Sequence, residues 1–426
     1  MLKLWQFTDL HLHVRENPEE LDKHPNQTAL AQSEAIIDAC LAAFLAEPGC
    51  GTLLLSGDLT QTGHPYEHSR MIEKLRQVQA AGKRVIAITA SHDHKTLGRE
   101  NCHLLREMYA EFGPNDAIAL YEDGIAFVVM LEPGLRLLCI NDHGRDRPPR
   151  WLPWALEQIE QAKAAGGRIF GMTHLPSLPP SPIYPLIEPR SLLQAETTRA
   201  LADAGLPFML TGHSHIHNIA PIVTPAGNPY WDVNTSALVG WPGKFRKLEI
   251  DGNTVRITGS EIPHIPAFGE MAAAEFLRET FDVVLRNIFA GWESDYELFA
   301  RSIGTGIDPA RVYKLKTFLK PLGKPANRIT LGGLGALLAC RSRITAQVRG
   351  LLLRDVLLEG MRNIYAGTEP YGPETGLGQA FLAYGRRLKF LGKKLGIADF
   401  PAFMLSLVYD DSPDDEVTIH IGEGLP

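Results

Sequence analysis

The chain has 426 residues, of which 45% are hydrophobic and 21% are charged, a composition typical of a globular protein with more than one domain. Its five cysteines include no CxxC pair, and no apolar run reaches the roughly 18 to 20 residues of a membrane span. These features argue against a disulfide scaffold and an integral membrane protein, and the net charge of −7 argues against a general nucleic-acid binder. Because no amino-terminal targeting signal is visible, we expect a cytoplasmic protein.

Over the first 260 residues, short aliphatic or β-branched runs alternate with helical patterns. The predicted strands are residues 2–7, 52–55, 84–89, 168–172 and 207–210, and the predicted helices are residues 32–45, 67–80 and 153–165. Two further pairs of runs predict hairpins, at residues 125–130 with 135–140 and at residues 244–250 with 254–258. Hairpins within a βαβ framework predict two packed sheets with helices outside them.

A linker follows, because two closely spaced prolines between Glu261 and Pro266 exclude regular helix. We place the domain boundary there, giving domains of residues 1–262 and 263–426. Apolar residues between Phe281 and Trp292 recur at helical spacing, so the second domain is predicted to be mainly helical. Its further predicted helices are residues 309–319, 343–365 and 377–391, followed by a C-terminal β-hairpin of residues 403–409 and 416–421.

Charge is distributed unevenly in this second domain. Residues 301–394 contain 17 Lys and Arg against 5 Asp and Glu, whereas the tail from Leu395 contains seven acids and no Lys or Arg. The simpler interpretation is a set of solvated helix faces that the acidic tail and the acidic amino-terminal half balance. The alternative is a basic face that attracts an anionic substrate or partner.

Five clusters of histidine and aspartate each follow a predicted strand directly. They are Asp9 to His11, Gly57 and Asp58, Ser91 to Asp93, Thr173 and His174, and Gly212 to His215. Ligand-binding groups of α/β sheets gather outside the carboxyl ends of the strands, so we expect these clusters to meet in one crevice. Carboxylate oxygens and imidazole nitrogens together are suitable ligands for divalent transition metals. The pattern predicts the two-metal site of a hydrolase.

Individual roles follow from the donor atoms. Asp9 and His11 lie two residues apart and can bind one cation together. His213 and His215 are also two residues apart, can face the same crevice and can each serve one metal. Asp58 is our candidate bridge, because a carboxylate has two oxygens and can contact two cations. Each histidine alone, including the lone His174 between these blocks, is better explained by a structural hydrogen bond, but the whole set favours metal binding.

The order Asp-x-His, Gly-Asp, a His-Asp block, a lone His and Gly-His-x-His resembles the calcineurin-like metallophosphoesterase family, over residues 1 to about 260. The resemblance implies a fold of the α/β class: a four-layer αββα metallophosphoesterase sandwich, here with a mainly helical C-terminal domain. It also implies two divalent metal ions, manganese, iron or zinc, and hydrolysis of phosphate esters.

The same resemblance implies which residues bind metal. The first metal would take Asp9, His11, Asp58 and His215, and the second would take Asp58, Ser91, His174 and His213. Ser91 departs from the family pattern, in which an asparagine occupies this position. A hydroxyl is a poorer donor than an amide oxygen, and loss of even an outer metal contact typically costs about 10- to 100-fold in affinity. We therefore expect a weaker second metal.

By resemblance, His92 matches the catalytic histidine of the family and would give a proton to the leaving group. Asp93 is the second predicted catalytic residue and could orient His92, although hydrogen bonding at the strand end explains it equally well. His94 and His217 lie beside ligand positions and are predicted to contact substrate, against the alternative of ordinary polar packing.

These features predict a phosphoesterase acting on a small phosphorylated substrate, with a phosphodiester such as a cyclic nucleotide preferred. An α/β domain followed by a helical one resembles the bacterial cyclic-nucleotide phosphodiesterase-like members of the family. Protein phosphatases carry Gly-Asp-x-x-Asp-Arg-Gly, whereas residues 57–63 here read Gly-Asp-Leu-Thr-Gln-Thr-Gly. The alternatives are a nuclease that uses the basic C-terminal stretch and a binding or scaffold protein with an impaired second metal. The pattern identifies no protein partner for the helical domain.

Overall fold

The structure is a computed structural model that describes residues 1–16, 28–141, 148–188, 190–302, 316–412 and 414–422. The chain divides into two compact units. The first, here called the sheet unit, comprises Met1–Pro180, Arg190–Arg278 and Pro413–Pro426. The second, here called the helical unit, comprises Ser181–Pro189 and Glu279–Ser412. The C-terminal residues therefore belong to the same unit as the amino terminus.

All the described strands lie in the sheet unit. In chain order they are β1 Leu2–Phe7, β2 Cys50–Ser56, β3 Arg84–Ile88, β4 Ala117–Tyr121, β5 Ala126–Glu132, β6 Leu135–Ile140, β7 Arg168–Thr173, β8 Phe208–Thr211, β9 Asn218–Val223, β10 Pro229–Asn234, β11 Lys244–Asp251, β12 Thr254–Glu261 and β13 Glu416–His420.

The described helices begin with α1 Ser33–Ala46, α2 Pro65–Ala80, α3 Cys102–Met108, α4 Leu152–Ala164, α5 Tyr184–Ile187, α6 Ala195–Ala204, α7 Ala273–Ser294 and α8 Tyr296–Ser302. Later helices are Lys316–Leu319, Gly323–Arg328, Leu331–Leu337, Leu353–Ala366, Gly376–Arg387, Lys389–Leu395 and Phe400–Leu405. Among the described residues, no helix is long and apolar enough to cross a membrane.

The strands form two mixed sheets. The first has the order β13-β12-β11-β1-β2-β3, in which β1, β2 and β3 are parallel and the other neighbours are antiparallel. The second has the order β4-β5-β6-β7-β8-β10-β9, with β6, β7, β8 and β10 parallel. The parallel strands form one half of the first sheet and the middle of the second, and the histidine and aspartate clusters follow their carboxyl ends.

Apolar side chains fill the space between the two sheets. Leu54 and Ile86 of the first sheet belong to the same buried cluster as Phe170 and Phe208 of the second, whose rings stack with centroids 4.7 Å apart. A second cluster covers the outer face of the first sheet with α1 and α2, and a third covers the outer face of the second with α4 and α6. The predicted four-layer αββα fold with a helical C-terminal region is thus confirmed.

The helical unit has its own apolar core, which includes Leu331, Ile344 and Phe381. Two of its helices start with a threonine cap: the hydroxyls of Thr330 and Thr375 each accept a hydrogen bond of 3.0 Å from a glycine amide three residues on. Such caps satisfy backbone donors that a helix start leaves without a partner. The unit therefore has the local signals and the core of a helical fold.

The predicted C-terminal hairpin is wrong. Phe400–Leu405 is a helix, because Asp399 caps its start with a 3.0 Å hydrogen bond from Ala402 N–H and a proline occupies its first turn. Glu416–His420 pairs with β12 instead, with Val255 opposite Ile419. The units consequently differ from the predicted division into residues 1–262 and 263–426, since the tail joins the first sheet.

One helix prediction also needs correction, and another is only partly covered by the described residues. The helix predicted at residues 343–365 begins only at Leu353, because Leu352 is extended and forms a bridge with Thr330. Of the helix predicted at residues 309–319, residues 309–315 lie outside the described residues, and Lys316–Leu319 is helical.

Candidate metal centre

The loops after the central strands carry the candidate ligands in an uncommon backbone conformation. The φ angles are 49° at Asp9, 42° at His11, 48° at Asp58, 68° at His213 and 60° at His215. Left-handed φ is uncommon outside glycine, although Asp and His adopt it more readily than most residues, and each instance costs about 1 to 3 kcal/mol. The surrounding hydrogen bonds hold it here: Asp9 N–H donates to Gly57 O at 3.1 Å, and His11 N–H donates to Asp58 O at 3.0 Å.

Asp9, His11 and His215 form the first group of possible ligands. Asp9 Oδ1 lies 3.3 Å from His215 Nε2 and 3.6 Å from His11 Nε2, and the two imidazole nitrogens are 3.1 Å apart. One oxygen and two nitrogens therefore converge on one point. These are three of the four residues expected for the first metal.

Asp58, His174 and His213 form the second group. His174 Nε2 lies 3.1 Å from Asp58 Oδ2 and 3.2 Å from His213 Nδ1. It is also 3.9 Å from Asp9 Oδ1, so the two groups adjoin. A third set of ligand atoms within 4.8 Å of one another joins His11, Asp58 and His92, which places Asp58 next to both groups. This is the position that a bridging carboxylate requires.

The residues fit divalent metal ions. Asp9 Oδ1 is buried and accepts no hydrogen bond, whereas Asp9 Oδ2 accepts hydrogen bonds from Thr8 Oγ1 at 2.8 Å and from His213 N–H at 2.9 Å. His174 Nδ1–H donates to Ser56 O at 2.9 Å, which leaves its Nε2 lone pair for the site. Buried carboxylate oxygens and imidazole nitrogens that converge in this way are suitable ligands for a transition-metal ion.

Electrostatics support the same conclusion. Burial opposes the charged form of His174, but the carboxylates of Asp58 and Asp9 outweigh it and raise the pKa of His174 to about 9. The pKa of each carboxyl is held well below its usual range, because His174 and neighbouring imidazoles outweigh the effect of burial. Burial and the charge of His174 lower the pKa of His213 to about 4. The site therefore attracts positive charge, and a cation and a proton compete for it.

His92 lies at the edge of this centre. Its ring centroid is 4.5 Å from that of His11, and its backbone N–H donates to Asp58 Oδ1 at 2.8 Å. Its Nδ1 lies 2.8 Å from the carbonyl oxygen of Gln61. Burial, the largest cause, together with the positive charge of Lys95, lowers the pKa of His92 to about 3, so the imidazole is neutral near pH 7 when no substrate is bound.

The structure contradicts an orienting contact from Asp93 to His92. Asp93 is fully buried, and its two oxygens accept hydrogen bonds from Ala90 N–H and Thr60 N–H, both at 2.8 Å, from Thr60 Oγ1 at 2.8 Å and from Leu59 N–H at 3.3 Å. The carboxylate thus ties the loop after β2 to the end of β3. The simpler explanation, hydrogen bonding at a strand end, is the observed one.

The other predicted residues lie in different surroundings. Ser91 is exposed, and its carbonyl oxygen accepts a 2.7 Å hydrogen bond from Nδ1 of the half-buried His94. His217 is 0% exposed, with its Nε2 3.3 Å from Asp415 Oδ1. These surroundings agree with the alternative of ordinary polar packing, and substrate contact by His217 stays a prediction. Metal binding by Ser91 and substrate contact by His94 stay predictions.

Sequence reasoning missed Asn234, which supports the Gly-His-x-His loop. This buried side chain accepts a 2.7 Å hydrogen bond from Ser214 Oγ and donates to Gly212 O at 2.9 Å. Its only sequence signal is a polar residue at the end of an apolar strand. The bonds fix the loop that carries His213 and His215.

A sandwich of two sheets with adjoining Asp and His groups at its strand ends defines a dinuclear metal centre of the hydrolase type. The sequence matches the calcineurin-like phosphoesterase family over residues 2–217, and the chain belongs to that family, whose members depend on two metal ions. No curated protein sequence matches the chain.

Solved structures with a similar fold include a dimetal phosphatase from Danio rerio, which is 12% identical with a TM-score of 0.44 over 62% of this chain and 97% of that one. Another is a purple acid phosphatase from yellow lupin (Lupinus luteus) seeds, 11% identical with a TM-score of 0.39 over 61% of this chain and 51% of that one.

Proposed function

We propose that this protein is a metal-dependent phosphoesterase that hydrolyses a small phosphate ester, with a phosphodiester such as a cyclic nucleotide preferred. The proposal depends on one observation: the two groups of candidate metal ligands adjoin each other, and Asp58 lies next to both. Family membership supports hydrolysis of a phosphoric ester. The diester preference rests on the resemblance of the whole chain to cyclic-nucleotide phosphodiesterase-like proteins.

Asp9, His11 and His215 would hold one ion, His174 and His213 the other, and Asp58 both. The ions proposed are manganese, iron or zinc, because the donors combine imidazole nitrogen with carboxylate oxygen. When bound, two such cations supply positive charge to phosphoryl oxygens and lower the pKa of a water molecule. The loop bonds from Asn234 and Ser56 hold the imidazoles in place before substrate arrives.

His92 would transfer a proton to the leaving oxygen. Its pKa of about 3 is too low for this task until a phosphate ester brings negative charge beside the ring. Nearby negative charge stabilises the imidazolium and raises its pKa towards neutrality. Because Nδ1 of His92 lies within hydrogen-bond distance of the carbonyl oxygen of Gln61, Nε2 is the nitrogen that would carry the transferred proton.

The test is hydrolysis of bis-p-nitrophenyl phosphate by the full chain loaded with manganese. We expect turnover by the wild-type protein and none by Asp58→Asn, because the amide offers one oxygen and no charge. Asp251→Asn, at the exposed end of β11, is the matched control and should keep full activity. Activity of Asp58→Asn equal to that of the control would refute the two-metal mechanism. A higher rate on p-nitrophenyl phosphate than on the diester would refute the diester preference alone.

A further inference from the structure

The helical unit contains a cavity of about 440 Å³ with a basic lining. One wall is the helix Gly376–Arg387, which contributes Gln379 and Arg386, seven residues apart and therefore on one helix face. The opposite side is the segment of residues 342–349, which contributes Arg343 and Arg349. None of the described residues that line this cavity is a carboxylate, so three guanidinium groups share it with neutral side chains.

These three arginines have no acidic partner within the described part of the chain. Arg349 Nε–H donates to the carbonyl oxygen of Ile344 at 2.7 Å, which leaves its terminal amino groups for another acceptor. Arg343 and Arg386 are exposed and form no ion pair with any described residue. Three positive charges close together repel each other, and an anion bound between them would offset this repulsion.

A second cavity in the same unit, of about 810 Å³, provides a comparison. It is also lined by three arginines, but each is paired with an acid. Arg286 lies 3.5 Å from Asp282, Arg354 lies 3.0 Å from Asp355, and Arg362 also contacts Asp282. The arginines that line the larger cavity are therefore each paired with an acid, whereas the three that line the smaller cavity are not.

Neutral donors complete the smaller cavity. Thr345 lines it, and the hydroxyl oxygen of Thr345 is buried without a hydrogen-bond partner. A buried polar atom without a partner costs about 1 to 3 kcal/mol unless a ligand or water satisfies it. Ser342 and Gln379 add a hydroxyl and an amide to the lining. The donors far outnumber the acceptors, which is the pattern of an anion site.

We propose that this cavity binds a small organic phosphate. The planar guanidinium group donates two parallel hydrogen bonds to phosphate oxygens, which explains why arginines prevail in phosphate sites. The volume lies in the range of small-molecule sites, which is roughly 300 to 1,000 Å³, so there is room for an organic group beside the phosphate. All the residues that line the cavity belong to the helical unit, so this site is separate from the metal ligands.

The test is calorimetric titration of the full chain, after metal removal with a chelator, with adenosine monophosphate, inorganic phosphate and adenosine. We expect the nucleotide and phosphate to bind and adenosine not to bind. Arg343→Gln/Arg349→Gln/Arg386→Gln should weaken nucleotide binding at least tenfold, because each lost arginine removes a charge-assisted hydrogen bond. Metal removal separates this result from catalysis, so loss of activity elsewhere does not affect it.

The matched control is Arg286→Gln/Arg328→Gln/Arg354→Gln, which removes the same charge from paired arginines of the helical unit and should leave binding unchanged. Equal weakening by both triple variants would overturn the proposal, as would absence of binding by both phosphate probes. Binding of an oligonucleotide alone, lost in the first variant, would also overturn it in favour of a nucleic-acid surface. If the triple variant fails to fold, Arg343→Gln alone, at an exposed position, decides the question by the same tenfold criterion.

Discussion

Asp9, Asp58 and three of the histidines occupy backbone conformations that most residues avoid, and hydrogen bonds from the backbone amides of Asp9, His11 and His213 hold these loops in place. The turned backbone directs their side chains to one side of the sheet edge. Strain of this kind concentrates at functional sites, where a fixed arrangement of ligands lowers the cost of binding a cation. These five residues therefore act as one unit, and single replacements are not expected to be additive.

His92 and Asp58 should respond differently to replacement. We expect His92→Asn to lower kcat by about 100- to 10,000-fold, the range of general acid catalysis, while the bound metal stays close to the wild-type amount. Asp58→Asn should lose both metal and activity. Elemental analysis beside steady-state kinetics measures both quantities. Loss of metal from His92→Asn would instead make this imidazole a ligand.

Replacement of Ser91 is expected to strengthen metal binding, unlike replacement of Asp58. An amide oxygen is a better metal ligand than a hydroxyl, so Ser91→Asn should tighten binding of the second manganese ion by about tenfold or more. Titration of the metal-free protein with manganese, followed by electron paramagnetic resonance, measures the two affinities. Ser91→Ala is the control, and equal affinity for the second ion in the Asn and Ala variants would show that this position does not contact metal.

At the scale of elements, Glu67 joins helix α2 to the loop that follows β2. Its Oε2 accepts hydrogen bonds from Thr62 N–H at 2.8 Å and Thr62 Oγ1 at 2.9 Å, and its Oε1 lies 3.1 Å from His13 Nδ1. Burial raises the pKa of Glu67, but these partners outweigh burial and lower it below the ordinary value of 4.5. The carboxylate thus stabilises the position of the loop between Asp58 and α2.

A carboxyl group whose pKa is lowered by folding stabilises the fold at any pH above its pKa in the unfolded chain. This stabilisation is lost as the pH falls through the pKa of the group in the folded protein. We therefore expect Glu67→Gln to destabilise the protein by about 1 to 3 kcal/mol at neutral pH, with the difference from wild type shrinking below pH 4.5. Thermal unfolding between pH 3 and 7 measures this. Glu73→Gln, exposed on the same helix, is the control. A difference that grows towards acid pH would contradict the sign.

Much of this arrangement could be predicted from the sequence, because the ligands follow local strand patterns. Asp9 and His174 each come after a run whose strand character is visible within a few residues. The roles of Asp93 and His217 could not be predicted, since they depend on partners far along the chain: Thr60 for the first and Asp415 for the second. Residues 416–421 were predicted as a strand, and Glu416–His420 is one, but its partner was predicted wrongly for the same reason: β12, with which it pairs, lies more than 150 residues earlier in the chain.

At the scale of the whole molecule, the C-terminal segment completes the sheet unit. Asp414 Oδ1 accepts hydrogen bonds from Ile219 N–H at 2.8 Å and Asn218 Nδ2 at 3.1 Å, at the start of the strand after the Gly-His-x-His loop. The fully buried Arg246 donates to Asp414 O at 2.6 Å and to Asn234 O at 3.0 Å. Arg246 therefore links the tail to Asn234, the residue that holds the metal-binding loop.

Ile419 is the buried residue of β13, with 0% of its surface exposed between the two sheets. Ile419→Ala should destabilise the sheet unit by about 2 to 5 kcal/mol, the range for removing a large aliphatic side chain from a core. Urea unfolding followed by circular dichroism measures this, with the neighbouring exposed Thr418→Ala as control. Equal midpoints for the two variants would show that β13 contributes nothing to the core.

The return of the chain to its first sheet has a consequence for biosynthesis. During vectorial synthesis on the ribosome, β12 emerges with a bare edge and keeps it until the whole helical segment has been translated. An uncovered edge strand recruits other chains, so this interval is when the nascent polypeptide is most prone to aggregate. A stop codon placed after residue 412 would leave the edge of β12 uncovered permanently, even though all the catalytic ligands would be present.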